Sequence, residues 1–238
     1  MIDISVVIPT YREPAQQLRT NIGYMKEQTA FKKGKMEIIL ADYYEYDNEK
    51  NDNMMYFRLL KSKNIKLVDV DRRGIAYGRH AGIMASSGKV IVCFDADGYI
   101  TPNDGVERLA KPILDGDAVL TCCDNVLDIR PLTVEQVQSI NMVSQLNYQL
   151  SLAQRAPMFG FLEPGMTFSK EAYMRVGGFS DVTQYEGSFL AAKLIMSYTP
   201  AMKKWIEGVT AVVSARRALA SVKHGLYGAF GDYNNAFR

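Results

Sequence analysis

The chain is short of cysteine, histidine and tryptophan, with 3, 2 and 1 among 238 residues. Cys93, Cys122 and Cys123 are odd in number and two are adjacent, so no disulfide framework can be drawn and a reducing compartment is expected. Long hydrophobic runs are also missing: nothing approaches the roughly 18 apolar residues of a membrane span. The start, Met1-Ile2-Asp3, has no basic segment leading into an apolar one, which argues against a signal peptide. Neither sign of charge dominates, and a net charge of +2 excludes a nucleic-acid binder argued from charge alone. Internal repeats, low-complexity tracts and a clear linker are absent. What is plentiful is apolar surface, 47% of residues, enough for a substantial core in one domain. A soluble, cytoplasmic protein with no nucleic-acid partner is expected.

Three Asp-x-Asp pairs occur: Asp69-Val70-Asp71, Asp95-Ala96-Asp97 and Asp115-Gly116-Asp117. One of them, followed by Gly98, closes a strand-like run, Val90-Ile91-Val92-Cys93-Phe94. Such a bounded, β-branched and aromatic run reads as a buried parallel strand, and ligands of open α/β sheets collect where those strands end. Carboxylates two residues apart on extended chain leave on one side and can share a hard cation, which would bridge to a diphosphate. A plain Asp/Gly turn is the competing reading of the same residues.

The first half alternates regularly. Strands are expected at 4–8, 37–41, 65–68 and 90–94. A helix begins at Pro14, with Leu18, Ile22 and Met25 on one face, a second covers 54–60, and a closely packed Ala/Gly-rich one covers 74–86. This pattern means βαβ units on a mostly parallel sheet flanked by helices, with Tyr11, Asp42, Asp71 and Asp95 along one edge.

The second half is less regular. Helices are expected at 102–114 and 186–197, strands at 118–120 and 208–213, and a further apolar run at 166–168. Thr133 and Gln136 form a capping box for a helix whose apolar stripe includes Val143, Leu146, Leu150 and Ala153. From Ala215 the chain is basic then mixed, and Leu219, Val222, Leu226 and Phe230 suit either peripheral membrane contact or packing back over the site. The halves, 1–115 and 116–238, are taken as lobes of a single domain.

Five motifs stand in order: Val6-Val7-Ile8-Pro9-Thr10-Tyr11, Glu37-Ile38-Ile39-Leu40-Ala41-Asp42, Gly74 through Gly82, Phe94-Asp95-Ala96-Asp97-Gly98, and Val176-Gly177-Gly178-Phe179. Together they resemble the family-2 glycosyltransferases, inverting enzymes of the GT-A fold that use nucleotide-diphosphate sugars. The resemblance covers residues 4–104 well and 163–190 more weakly. It implies a donor half over 1–115, an acceptor half with a C-terminal segment over 116–238, and selection of Asp95 and Asp97 from the three pairs.

By that resemblance Pro9, Thr10, Tyr11, Glu13, Asp42, Arg73, Gly74, Arg79, Asp95 and Ala96 bind the donor. Asp95, Asp97 and, from the C-terminal region, His224 hold Mn2+ or Mg2+, with Asp95 contacting either the cation or the donor ribose. Arg79 is read either as a phosphate ligand or as a solvated helix residue. The donor is a UDP- or GDP-sugar, and the acceptor a glycan, lipid-linked or protein hydroxyl. The chain departs from the pattern where Tyr43 and Tyr44 follow Asp42, and where Gly187 follows Glu186 in place of the usual acid. Of the acids after Phe179, Asp181 and Glu186, only Glu186 falls within the family's acidic motif and is the expected base. A polyprenyl-phosphate glycosyltransferase, a sugar-phosphate nucleotidyltransferase and a non-catalytic nucleotide-binding scaffold are the alternatives. The nucleotidyltransferase lacks its glycine-rich, basic loop, since Pro9-Thr10-Tyr11-Arg12-Glu13 stands there.

Overall fold

The computed structural model describes residues 1–11, 13–43, 63–153, 155–156, 164–180, 186–216, 218–219 and 222. Their strands are β1 (Ile4–Thr10), β2 (Met36–Tyr43), β3 (Ile65–Val70), β4 (Val90–Cys93), β5 (Tyr99–Thr101), β6 (Leu120–Asp128), β7 (Thr167–Ser169) and β8 (Lys203–Ser214). The helices are α1 (Ala15–Glu27), α2 (Thr29–Lys32), α3 (Ile75–Ala85), α4 (Gly105–Leu114), α5 (Val134–Ala153), α6 (Lys170–Arg175) and α7 (Glu186–Ser197). The helix expected at 54–60 lies outside the described residues.

All eight strands join one sheet in the order β3-β2-β1-β4-β7-β6-β8-β5. The first four are parallel, as the alternation predicts. The far side is mixed: β7 runs antiparallel to β4 and β6, β6 is parallel to β8, and β5 is antiparallel to β8. The sheet is therefore parallel in the first half and mixed in the second. β6 and β8 extend past their expected bounds because their pairing recruits polar residues such as Asp124, Asn125 and Asp128, which hide a strand in the sequence.

Strand alternation divides the core. Ile4, Val6 and Ile8 of β1 pack with Leu18, Ile22 and Met25 of α1, while Val7 turns to Ile83 of α3. Each such fully buried aliphatic side chain contributes about 1.5–3 kcal/mol. α3 lies close on the sheet because two glycines face it. A Cβ added at Gly82 would stand 2.5 Å from Val7 Cγ1, and one at Gly78 would stand 3.0 Å from Pro9 Cβ. That approach brings the start of α3 to the end of β1. The capping box of α5 forms as expected, with Thr133 N donating to Gln136 Oε1 at 2.9 Å and Gln136 N to Thr133 Oγ1 at 3.3 Å. Among its described side chains Ile140 is buried, whereas Leu146 of the expected stripe is 55% exposed.

The opposite, amino-terminal end of the strands is pinned by one buried carboxylate. Glu37, in register with Ser5, accepts from Ser5 Oγ at 2.7 Å and pairs with Lys66 Nζ at 2.7 Å, while Ser87 N also donates to it. Burial alone would raise this carboxyl, but the hydrogen bonds from Lys66, Ser5 and Ser87 outweigh burial and hold it below its ordinary value of 4.5. A depressed folded-state value contributes stability above the unfolded value and loses it as pH falls through the folded one. Glu37→Gln is expected to cost about 1–3 kcal/mol at neutral pH. In thermal melts the gap to wild type should narrow between about pH 6 and about pH 3. A gap that stays constant over that range would refute the assignment.

Candidate functional site

Connectivity creates a switch point between β1 and β4. The chain leaves β1 towards β2 on one side, then crosses back to enter β4 on the other, so a crevice opens at their carboxyl ends. A solvent-connected cleft lies there, with about 570 Å³ of empty space when the open solvent at its mouth is included. Pro9, Thr10 and Tyr11 line it from the end of β1, Ala41 and Tyr43 from β2, and Arg73, Gly74, Ile75 and Gly78 from the start of α3. Asp95, Ala96 and Asp97 enter after β4, and Glu13 with Arg216 completes the lining.

One wall is aromatic and cationic. The rings of Tyr11 and Tyr43 stand 5.6 Å apart, and the Arg73 guanidinium lies 5.3 Å from the Tyr11 centroid. Such a group offers stacking faces to a planar ring. Beside it, Gly74 caps α3 at φ 136°, and the positive end of that helix meets the cleft.

The acidic loop is braced from both faces of the sheet. Asn21 of α1, 3% exposed, donates through Nδ2 to the carbonyl oxygens of Asp95 and Gly98. Asp95 Oδ1 accepts from Arg79 Nη2 at 3.0 Å, and Arg79 Nη1 donates to Glu186 Oε1 at 2.8 Å. Arg79 is 0% exposed and Glu186 1%, so a buried ion network ties the acidic loop through α3 to the first turn of α7. Asp97 Oδ2 accepts from Arg216 Nη2 at 3.0 Å, and Arg216 Nη1 lies 3.8 Å from Glu13 Oε2.

Of the residues singled out in the sequence, Pro9, Thr10, Tyr11, Glu13, Arg73, Gly74, Asp95, Ala96 and Asp97 meet in the cleft. Asp42 does not line it: the alternation that presents Ala41 and Tyr43 turns Asp42 away, where it accepts from Thr10 Oγ1 at 2.6 Å and is 1% exposed. Arg79 is neither a solvated helix residue nor part of the lining, because the face of α3 that carries it is packed inward. Glu186 is likewise withdrawn. A general base must come within about 3 Å of the hydroxyl it deprotonates, and this carboxylate is buried and engaged by a guanidinium. Asp181, Tyr44 and His224 lie outside the described residues. His80 meets the hydroxyl of Tyr173 at 2.8 Å, a structural contact.

Asn21 and Arg216 were missed. Asn21 carried a signal, a polar residue three positions after Leu18 on the buried stripe of α1. Arg216 is placed by the pairing of β8 with β5, which no local pattern reveals.

Among the described residues no group of three or more His, Cys, Asp or Glu gathers as a closed metal shell. Two neighbouring carboxylates at the end of a buried strand nevertheless fit a Mg2+- or Mn2+-type site, which takes one or two protein carboxylates and fills its shell with water and substrate phosphate. The guanidinium on Asp97 shows the same place accepting positive charge.

Solved structures share the fold. The mannosyltransferase PcManGT from Pyrobaculum calidifontis, in complex with GDP-Man and Mn2+, superimposes with a TM-score of 0.67 at 20% identity, over 98% of this chain and 64% of its own. S. aureus TarS 1–349 in complex with UDP-GlcNAc gives 0.60 at 15% identity, over 89% and 58%. GalNAc-T7 with UDP, GalNAc and Mn2+ gives 0.66 at 14% identity, over 100% and 50%. The chain thus spans only part of the length of each of these proteins. No curated protein matches the sequence significantly. Likeness at such identities establishes the GT-A fold and no more. The sequence profile of glycosyl transferase family 2, however, matches residues 5–177, from the first strand of the cleft to the turn after α6, and the chain belongs to that family.

Proposed function

We propose that the protein is a metal-dependent, inverting glycosyltransferase moving a sugar from a UDP- or GDP-sugar to an acceptor hydroxyl on a glycan, lipid-linked carrier or protein. The observation that carries this reading is the convergence of Asp95 and Asp97 with the Tyr11–Tyr43–Arg73 wall and the start of α3 in one switch-point cleft. The complexes of PcManGT with GDP-Man and Mn2+ and of GalNAc-T7 with UDP and Mn2+ support it.

In this reading Tyr11 and Tyr43 stack on the nucleobase, and Arg73 with the first amides of α3 meets the diphosphate. Asp95 and Asp97 hold Mn2+ or Mg2+, which when bound neutralises charge on the departing diphosphate. The acceptor oxygen forms its bond to the anomeric carbon on the face opposite the leaving group, and the bond to the diphosphate breaks. The hydroxyl proton passes to a base. With Glu186 engaged by Arg79, that role passes to Asp181, the other acid between Gly178 and α7. Among the described residues no helix is long and apolar enough to cross a membrane. Contact with a membrane surface through the C-terminal segment belongs to the same proposal.

Calorimetry with UDP, GDP, CMP and dTDP in Mn2+, followed by donor hydrolysis and transfer assays, tests the proposal. Metal-dependent binding of UDP or GDP with turnover is expected. Absence of diphosphate binding would sink the donor site. Binding without hydrolysis or transfer would instead favour a nucleotide-binding scaffold, a reading that draws on the engagement of Glu186 by Arg79.

A further inference from the structure

We propose that Arg216 is a mobile counter-cation of the cleft: it neutralises Asp97 before the donor arrives and transfers to the donor diphosphate afterwards. The proposal rests on the donor-site reading above. Its position follows from the sheet. β5 pairs with β8 through Tyr99↔Val212, Ile100↔Ala211 and Thr101↔Thr210, so the chain beyond Val212 runs back past Gly98 towards Asp97. The approach is close enough that a Cβ on Gly98 would stand 2.4 Å from the carbonyl oxygen of Val212. Arg216 N then donates to Ser214 Oγ at 3.2 Å, turning the chain across the cleft.

The guanidinium meets Asp97 Oδ2 at 3.0 Å and lies 3.8 Å from Glu13. Its side chain is 55% exposed while that of Asp97 is 13% exposed, so the cation is the solvated member of the pair. Half-solvated ion pairs are weak and exchange readily. A guanidinium, moreover, suits bidentate contact with phosphate oxygens.

A thermodynamic consequence follows. A divalent cation on Asp97 competes with the Arg216 guanidinium at Oδ2, and a diphosphate gives Arg216 somewhere to go. Cation and nucleoside diphosphate must therefore bind with positive coupling, each tightening the other.

The test measures Mn2+ binding from the electron paramagnetic resonance of the free ion, with and without UDP or GDP. It also measures calorimetric affinity for UDP and GDP against UMP and GMP. In Arg216→Gln, Mn2+ alone should bind about tenfold more tightly and the diphosphates about tenfold more weakly. The monophosphates should be unchanged, the coupling should shrink, and Arg216→Lys should restore it in part. Wild-type Mn2+ affinity, or an unchanged ratio of diphosphate to monophosphate affinity, in Arg216→Gln would overturn the proposal. Failure of the wild-type protein to bind any diphosphate with metal would overturn the donor-site reading itself.

Discussion

Asp97→Asn is expected to lower affinity for UDP or GDP in saturating Mn2+ by at least ~10²-fold, because at the proposed cation site one of two carboxylates would leave the shell. Thermal stability should move little, since the pair with Arg216 is half-exposed on the guanidinium side and such pairs contribute about 0–1 kcal/mol. Asp115→Asn and Asp69→Asn are the internal controls. Asp115 pairs with Lys111 in an exposed turn, Asp69 sits in β3, and neither lines the cleft. Calorimetry on the three variants decides among the Asp-x-Asp pairs. Equal losses from a control would mean that the cation site lies elsewhere or that the effect is one of general charge.

Glu186→Gln should behave differently, with both stability and donor binding falling. A neutral amide leaves the buried Arg79 guanidinium short of a counter-charge, and breaking a buried pair in this way costs about 3–5 kcal/mol. For a chain of this size that is a drop in Tm of about 10 °C. Asp95 loosens with it, because Arg79 grips both acids, so affinity for the metal–nucleotide complex falls as well. Arg79→Met combined with Glu186→Leu should recover much of the stability and none of the donor affinity. Asp181→Asn should show the opposite split, with Tm and donor affinity kept and transfer cut by at least ~10²-fold. If Glu186→Gln melts like wild type and loses only turnover, Glu186 is the base that its motif suggested.

Legibility in the sequence followed the range of the interaction. The parallel strands and α1 announced themselves by period. α7 spans Glu186–Ser197, as its sequence predicts, and the box at Thr133 and Gln136 set the start of α5. The lining residues from Pro9 to Tyr11 and from Asp95 to Asp97 were legible because each follows directly on a strand end. Which way a side chain turns was not. Asp42 and Arg79 sit at motif positions, yet the phase of β2 and the inward face of α3 keep both out of the lining, behind Thr10 and Asp95. Glu186 reads as an acid at a helix start, and only the fold shows that a guanidinium more than a hundred residues earlier in the chain meets it. Arg216 needed the β5–β8 register, a pairing between distant segments with no local trace.

That register also gives the site a place in time. Among the described residues β5 pairs only with β8, so the segment carrying Asp95, Asp97 and Gly98 is held on its far side by the last strand of the sheet. A ribosome adding about 5–20 residues per second makes β8 on the order of 10 s after β5. For the first part of that interval the nascent chain holds β1 to β4 with the edge of β4 open, until β7 is made to pair with it. By the proposed function, donor and cation would meet a finished cleft only once β8 is made. A chain cut short before β8 would keep every residue of the acidic loop and lack the strand that sets it in place.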